Sequence, residues 1–158
     1  LSTALQKLVN RSEPLSAGGG RLSVFHGVRA PAIALENYIE RIYKYTSCSP
    51  SCFVVGFVYI DRLLHKHPDS VVSPLNVHRL AVTSVMVAAK ILDDVHYNNG
   101  FYARVGGVSK EEMNRLELEL LFLLDFHVYV SSTVFEAYSL YLEKEMLRNQ
   151  TPPPPPLL

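Results

Sequence analysis

The residues best placed to do chemistry in this chain are a lysine and a glutamate, each isolated in an apolar helical stretch. Lys90 lies near the end of the run from Leu80 to Leu92, and Glu117 sits inside the stretch from Asn114 to Leu124. A charge in an apolar helix is costly unless it snorkels to water or finds a partner. Two opposite charges on neighbouring helices would satisfy each other and offer one donor and one acceptor on a hydrophobic surface. That combination suits docking of another protein's helix, which is binding chemistry rather than catalysis. Each residue alone has a plainer reading. Lys90 is a helix-end lysine favoured by the helix dipole, and Glu117 is a surface carboxylate near the solvated Glu119.

No other constellation points to an enzyme. Cys48, Cys52, His65, His67 and His78 fit no strong zinc spacing, so no metal is expected. Asp93 and Asp94 lack an accompanying nucleophile or base and read as a solvated helix end. Gly106-Gly107 lacks the strand and the Lys-Ser/Thr pair of a phosphate loop. No cofactor and no small-molecule ligand is expected. On a single helix, Cys48 and Cys52 would stand one turn apart, where a disulfide constrains little. A reducing compartment is the simpler reading. Two glycosylation sequons, at Asn10 and Asn149, carry meaning only on a secretory route. The opening Leu1-Ser-Thr-Ala-Leu-Gln shows no signal-peptide pattern and no methionine, so the native N-terminus is expected upstream.

These residues need elements to position them. The chain has 158 residues, 48% of them hydrophobic, which supports one packed domain. Lys plus Arg and Asp plus Glu are 15 each, so no charge excess favours nucleic acid or an anionic membrane. No apolar run reaches the roughly 18 uncharged residues of a membrane span. The pattern predicts an all-α fold. A short helix over 1–10 is expected to form a mobile arm, joined to the domain by the Gly-rich breaker ending at Gly20. Pro31 suits a first helical turn, followed by the amphipathic stripe Leu35, Tyr38, Ile39, Ile42 and Tyr43. Ser49 is the expected cap of a second, almost all-round apolar helix that His67-Pro68 stops. A third runs from about Pro74 to Asp93. Residues 95–108 read as a loop or a short helical piece. Capping boxes open the next helix at Ser109 and the last at Thr133. Pro152 to Pro156 is expected to be a polyproline tail.

Five points resemble the cyclin box. They are Tyr59-Ile-Asp61-Arg62, Ala88-Ala-Lys90, Phe101-Tyr-Ala-Arg-Val-Gly-Gly-Val-Ser109, Asn114-Arg-Leu-Glu117, and Ile39 to Tyr45 followed by Ser49-Pro-Ser51. The last three resemble the plant U-type cyclins, also called P-type. The resemblance implies a cyclin-box bundle of five core helices over 31–130. Flanking it are residues 1–30, a C-terminal helix over 131–150 and the tail over 151–158. It implies a non-enzymatic regulatory subunit that binds and activates a cyclin-dependent serine/threonine kinase, in the nucleus or cytoplasm, in cell division or nutrient signalling. The kinase-binding residues it implies are Lys90, Glu117, Val87, Ile91, Leu121 and Phe126, and Asp61 becomes an internal buttress. The arginine that many mitotic cyclins pair with that aspartate is Ala32 here, and Pro31 to Leu35 does not reproduce their substrate-docking patch. The alternative is a cyclin-fold adaptor or transcription-factor scaffold without a kinase, against which the zero net charge counts.

Overall fold

The computed structural model describes residues 1–12, 20–27 and 29–150. Most of the Gly-rich breaker and the proline-rich tail lie outside the described residues. The described elements are helices α1 (Ser2–Ser12), α2 (Leu35–Thr46), α3 (Ser51–Lys66), α4 (Val77–Leu92), α5 (Asn99–Gly106), α6 (Lys110–Leu123) and α7 (Ser132–Gln150), with a 3-10 turn at Gly20–Phe25. No strand occurs among the described residues. The fold is all-α, as the pattern implied, among the described residues.

The centre is the packed pair α3 and α4. α4 buries twelve residues, from Val77 to Ala89 with the sole exception of Arg79. Polar members of that run are satisfied locally: Thr83 Oγ1 donates to the Arg79 carbonyl at 2.6 Å and Ser84 Oγ to the Leu80 carbonyl at 2.6 Å. Gly56 of α3 lets the two helices approach closely, since a Cβ there would stand 3.3 Å from Val85 Cγ2.

Several boundaries differ from the sequence pattern. α2 begins at Leu35, after an extended Ala34 with no side-chain cap, so Pro31 precedes the helix rather than opening it. α3 takes Pro50 at its cap position, and Ser49 instead bonds Asp93 with its Oγ at 2.8 Å. α5 is a full helical element, capped by Asn98 Oδ1 accepting from Phe101 N at 3.0 Å. Ser109 caps α6 as expected, accepting from Glu112 N at 3.0 Å. Glu112 does not return the bond but pairs with Arg79 at 2.7 Å, so only half of the capping box forms. Ser131 rather than Thr133 caps α7, accepting from Val134 N at 3.2 Å.

The N-terminal helix is not a loose arm. Its stripe Leu5 and Val9 is buried in the core, and Lys7 Nζ reaches the buried Glu145 of α7 at 3.3 Å. The 3-10 turn buries Leu22 and Phe25. No described helix is long and apolar enough to cross a membrane.

Candidate functional site

Lys90 and Glu117 meet. Lys90 projects from the last turn of α4, where a cation complements the helix dipole. Its Nζ donates to Glu117 Oε2 at 2.6 Å. The other carboxylate oxygen, Oε1, accepts from Asn99 Nδ2 at 3.0 Å, and Asn99 also donates to Asn114 Oδ1 at 2.8 Å. Glu117 is thus gripped from α4 and α5 while α6 carries it. The pair is half-buried, with side-chain exposures of 30% and 18%.

Apolar side chains follow on the same helices and in the turn after α6. Ile91, next to Lys90, is 53% exposed, and Leu121, one turn beyond Glu117, is half-buried. Phe126 is 55% exposed and packs edge-on against exposed Phe122, ring centres 5.3 Å apart. Val87 is different. It is 3% exposed and belongs to the core, so it offers no contact surface of its own. Helical spacing puts Val87 and Ile91 on one face, yet spacing alone does not tell which end of that face the bundle covers.

Phe126 is aimed by an unusual turn. Asp125 and Phe126 have φ of 51° and 59°, the left-handed region that bulky residues avoid. Phe126 N closes the turn on the Leu121 carbonyl at 2.8 Å. The C-terminal half of α3 then holds the connector down. Tyr59 Oη donates to the Val128 carbonyl at 2.7 Å, and Arg62 Nη1 to those of His127 and Tyr129 at 3.0 and 2.8 Å. Lys66 Nζ pairs with Asp125 Oδ2 at 2.7 Å, and His67 Nε2 bonds the Leu123 carbonyl at 2.9 Å.

Asp61 sits one residue before Arg62 in this clamp. Its carboxylate accepts a short hydrogen bond from Tyr138 Oη of α7. That tyrosine, on α7, serves as the donor. Asp61 keeps 22% side-chain exposure, so it is a boundary buttress rather than an enclosed one. Burial, then the bond to Asp61, pushes the Tyr138 phenol up to about 12.

Asn99, Asn114 and Phe122 escaped sequence reasoning. The signal available for Asn114 was its place three residues before Glu117, on the same helical face. Asn99 had none, because its element was itself ambiguous. The five cysteine and histidine candidates form no metal cluster: among the described residues no group of three or more His, Cys, Asp or Glu is arranged to hold an ion.

Comparison with known proteins adds independent findings. The family model described as Cyclin matches residues 4–128. Cyclin-U1-1 of Arabidopsis thaliana is 65% identical over 153 residues, covering 94% of this chain and 73% of that protein. Cyclin-U4-1 of the same plant is 50% identical over 149 residues, 92% of this chain and 74% of that protein. Cyclin-P3-1 of Oryza sativa subsp. japonica is 54% identical over 125 residues, 79% of this chain and 52% of that protein.

Proposed function

The chain belongs to the cyclin family, among the plant U/P-type members, and from that premise we propose that it binds and activates a cyclin-dependent serine/threonine kinase. The processes served are cell division or nutrient signalling, in the nucleus or cytoplasm. The observation that carries this reading is the Lys90–Glu117 pair at 2.6 Å, braced by Asn99, with exposed Ile91 next to Lys90 in the chain. Lys90 uses one ammonium proton on Glu117, which leaves two donors for a partner's backbone carbonyls. Ile91, Leu121 and Phe126 supply the apolar contact area.

The mechanism is positional. Kinase catalysis requires an ion pair between a strand lysine and a glutamate on the mobile regulatory helix. A surface that binds only the inward position of that helix shifts the population toward the active kinase. Moving the kinase from 1:99 to 99:1 requires about 10⁴-fold preference for that state, roughly 5.5 kcal/mol. The cyclin performs no chemistry itself.

The test is a double substitution, Lys90→Ala with Glu117→Ala, against a core control, Leu120→Ala. Losing a desolvated charged contact commonly costs about 2–5 kcal/mol of binding, roughly 30-fold to several-thousand-fold. Calorimetric titration with the kinase is expected to show that loss, and phosphotransfer is expected to fall with it. Thermal stability of the double variant should change by about 0.5 kcal/mol or less, since both side chains reach the surface. Leu120 is fully buried, so its truncation should cost about 2–5 kcal/mol of stability. Unchanged kinase binding by the double variant would remove the assigned face.

A further inference from the structure

We propose that the cleft between α1, α3 and α7 docks an extended segment of a partner protein that carries a basic and an acidic side chain, a binding site independent of the kinase reading. The cleft encloses about 350 Å³. Leu8 and Arg11 of α1, Phe57 and Asp61 of α3, and Tyr138 and Tyr141 of α7 line it. None of these residues stands on α4 or α6, which carry Lys90 and Glu117.

The floor is aromatic. Phe57 is buried, and the Tyr141 ring stacks on it with centres 5.9 Å apart and planes 25° apart. Tyr138 leans on the same ring at 6.1 Å and 59°. Tyr141 is 39% exposed, so part of its ring stays open to a ligand. Aromatic faces attract a cation, and the stem of a lysine or arginine packs on apolar surface while its head stays polar.

Both charges in the cleft are open. One Asp61 oxygen, Oδ2, accepts from Tyr138 Oη. The other, Oδ1, has one ion-pair contact among the described residues, His65 Nδ1 at 3.5 Å, beyond the ordinary hydrogen-bond range. That nitrogen already stands 2.8 Å from the Asp61 carbonyl oxygen. Arg11 is exposed, and its guanidinium has no hydrogen bond or ion pair among the described residues.

These open charges select the occupant. A purely apolar segment would cover both without answering either, and a charge taken from water without a partner is unfavourable. A proline-rich segment would use the rings, as aromatic-lined grooves do, yet leave both charges unmatched. A segment with a basic side chain on Asp61 and an acidic one on Arg11 matches both and lays its apolar stems on the rings.

The experiment records amide proton–nitrogen spectra of the folded full chain during titration with an end-blocked Gly-Leu-Lys-Leu-Glu-Gly peptide. The expected result is saturable shifts centred on Leu8, Arg11, Asp61 and Tyr141. Replacing the peptide's lysine by norleucine, or its glutamate by glutamine, should weaken binding about 2- to 5-fold in each case, the scale of a partly exposed ion pair. In Asp61→Asn, which keeps an acceptor for the Tyr138 hydroxyl, the lysine and norleucine peptides should bind alike. In Arg11→Ala the glutamate and glutamine peptides should bind alike. No shifts at the cleft, or shifts centred on α4 and α6, would overturn the proposal. Equal binding of all the peptides to the wild-type chain would reduce the cleft to an apolar groove and overturn it too, as would tighter binding of pentaproline than of the parent peptide. Should Asp61→Asn fail to fold, the peptide series on the wild-type chain and on Arg11→Ala decides alone.

Discussion

A hydroxyl on α7 settles how Asp61 is satisfied. Tyr138 Oη donates to a carboxylate that is 22% exposed. Removing the donor leaves a half-buried acceptor that water reaches in part, so the cost lies at the low end of the usual range, about 1 kcal/mol. Tyr138→Phe is therefore expected to lower Tm by about 2–4 °C, read by differential scanning calorimetry. The kinase face should be untouched, because Lys90, Glu117 and Asn99 share no partner with Tyr138. A larger fall, with lost kinase binding, would mean that Asp61 also orders the connector carrying Phe126. Lys90 and Glu117 rest on a different balance. As a partly exposed pair they contribute about 0–1 kcal/mol to folding, so on the proposed function their placement serves recognition far more than stability.

Helices close together are kept so by their small residues. Gly106 ends α5 against Tyr38 of α2 and Val82 of α4, and Tyr38 Oη donates to the Gly106 carbonyl at 2.8 Å. An added Cβ would stand 3.0 Å from both Tyr38 Oη and Val82 Cγ2. Gly106→Ala is expected to cost about 1–3 kcal/mol through that crowding, measurable as a lower urea midpoint with unchanged slope. Legibility in the sequence varied element by element for physical reasons. α3 and α4 were plain because each buries a long, nearly uninterrupted apolar set, and α6 because its buried Met113, Leu116, Leu120 and Leu123 recur at helical spacing. Lys90 and Glu117 were plain for the complementary reason, as charges where the pattern asked for none. α5 was not, being short with few apolar positions; its stability comes from Tyr102, Ala103 and Val105 packed by neighbours. The caps at Ser109 and Thr133 looked alike in sequence, yet only Ser109 caps; at α7 the acceptor is Ser131, two residues earlier. Val87 looked like Ile91 because burial depth along one helical face is a tertiary fact.

At the scale of the whole molecule, four of the nine tyrosines tie elements together from enclosed or partly enclosed positions. Burial is the first cause raising the phenols of Tyr38, Tyr59, Tyr102 and Tyr138, the second and last of them to about 12. Their unfolded value is 10.0. Unfolded chains therefore shed these protons first. The stabilising contribution is complete below pH 10.0 and is lost as pH climbs through about 12. A denaturant series across that window should show falling stability, and the four phenolates should appear in ultraviolet absorbance only as helical signal disappears. Their ionisation in a fully helical chain would contradict the assignment. The turn at Asp125 and Phe126 has a further consequence, concerning what the protein can become. Glycine at 126 would adopt φ near 59° without the clash of a side chain, relieving about 1–2 kcal/mol. It would give back about 0.5–1 kcal/mol in chain entropy. Phe126→Gly is expected to fold as well as the parent or slightly better, while docking weakens for want of the ring. Persistence and recognition thus pull this position in opposite directions. Screening variants for heat resistance alone would steer the chain toward a sturdier protein that lacks the ring on which the proposed docking depends.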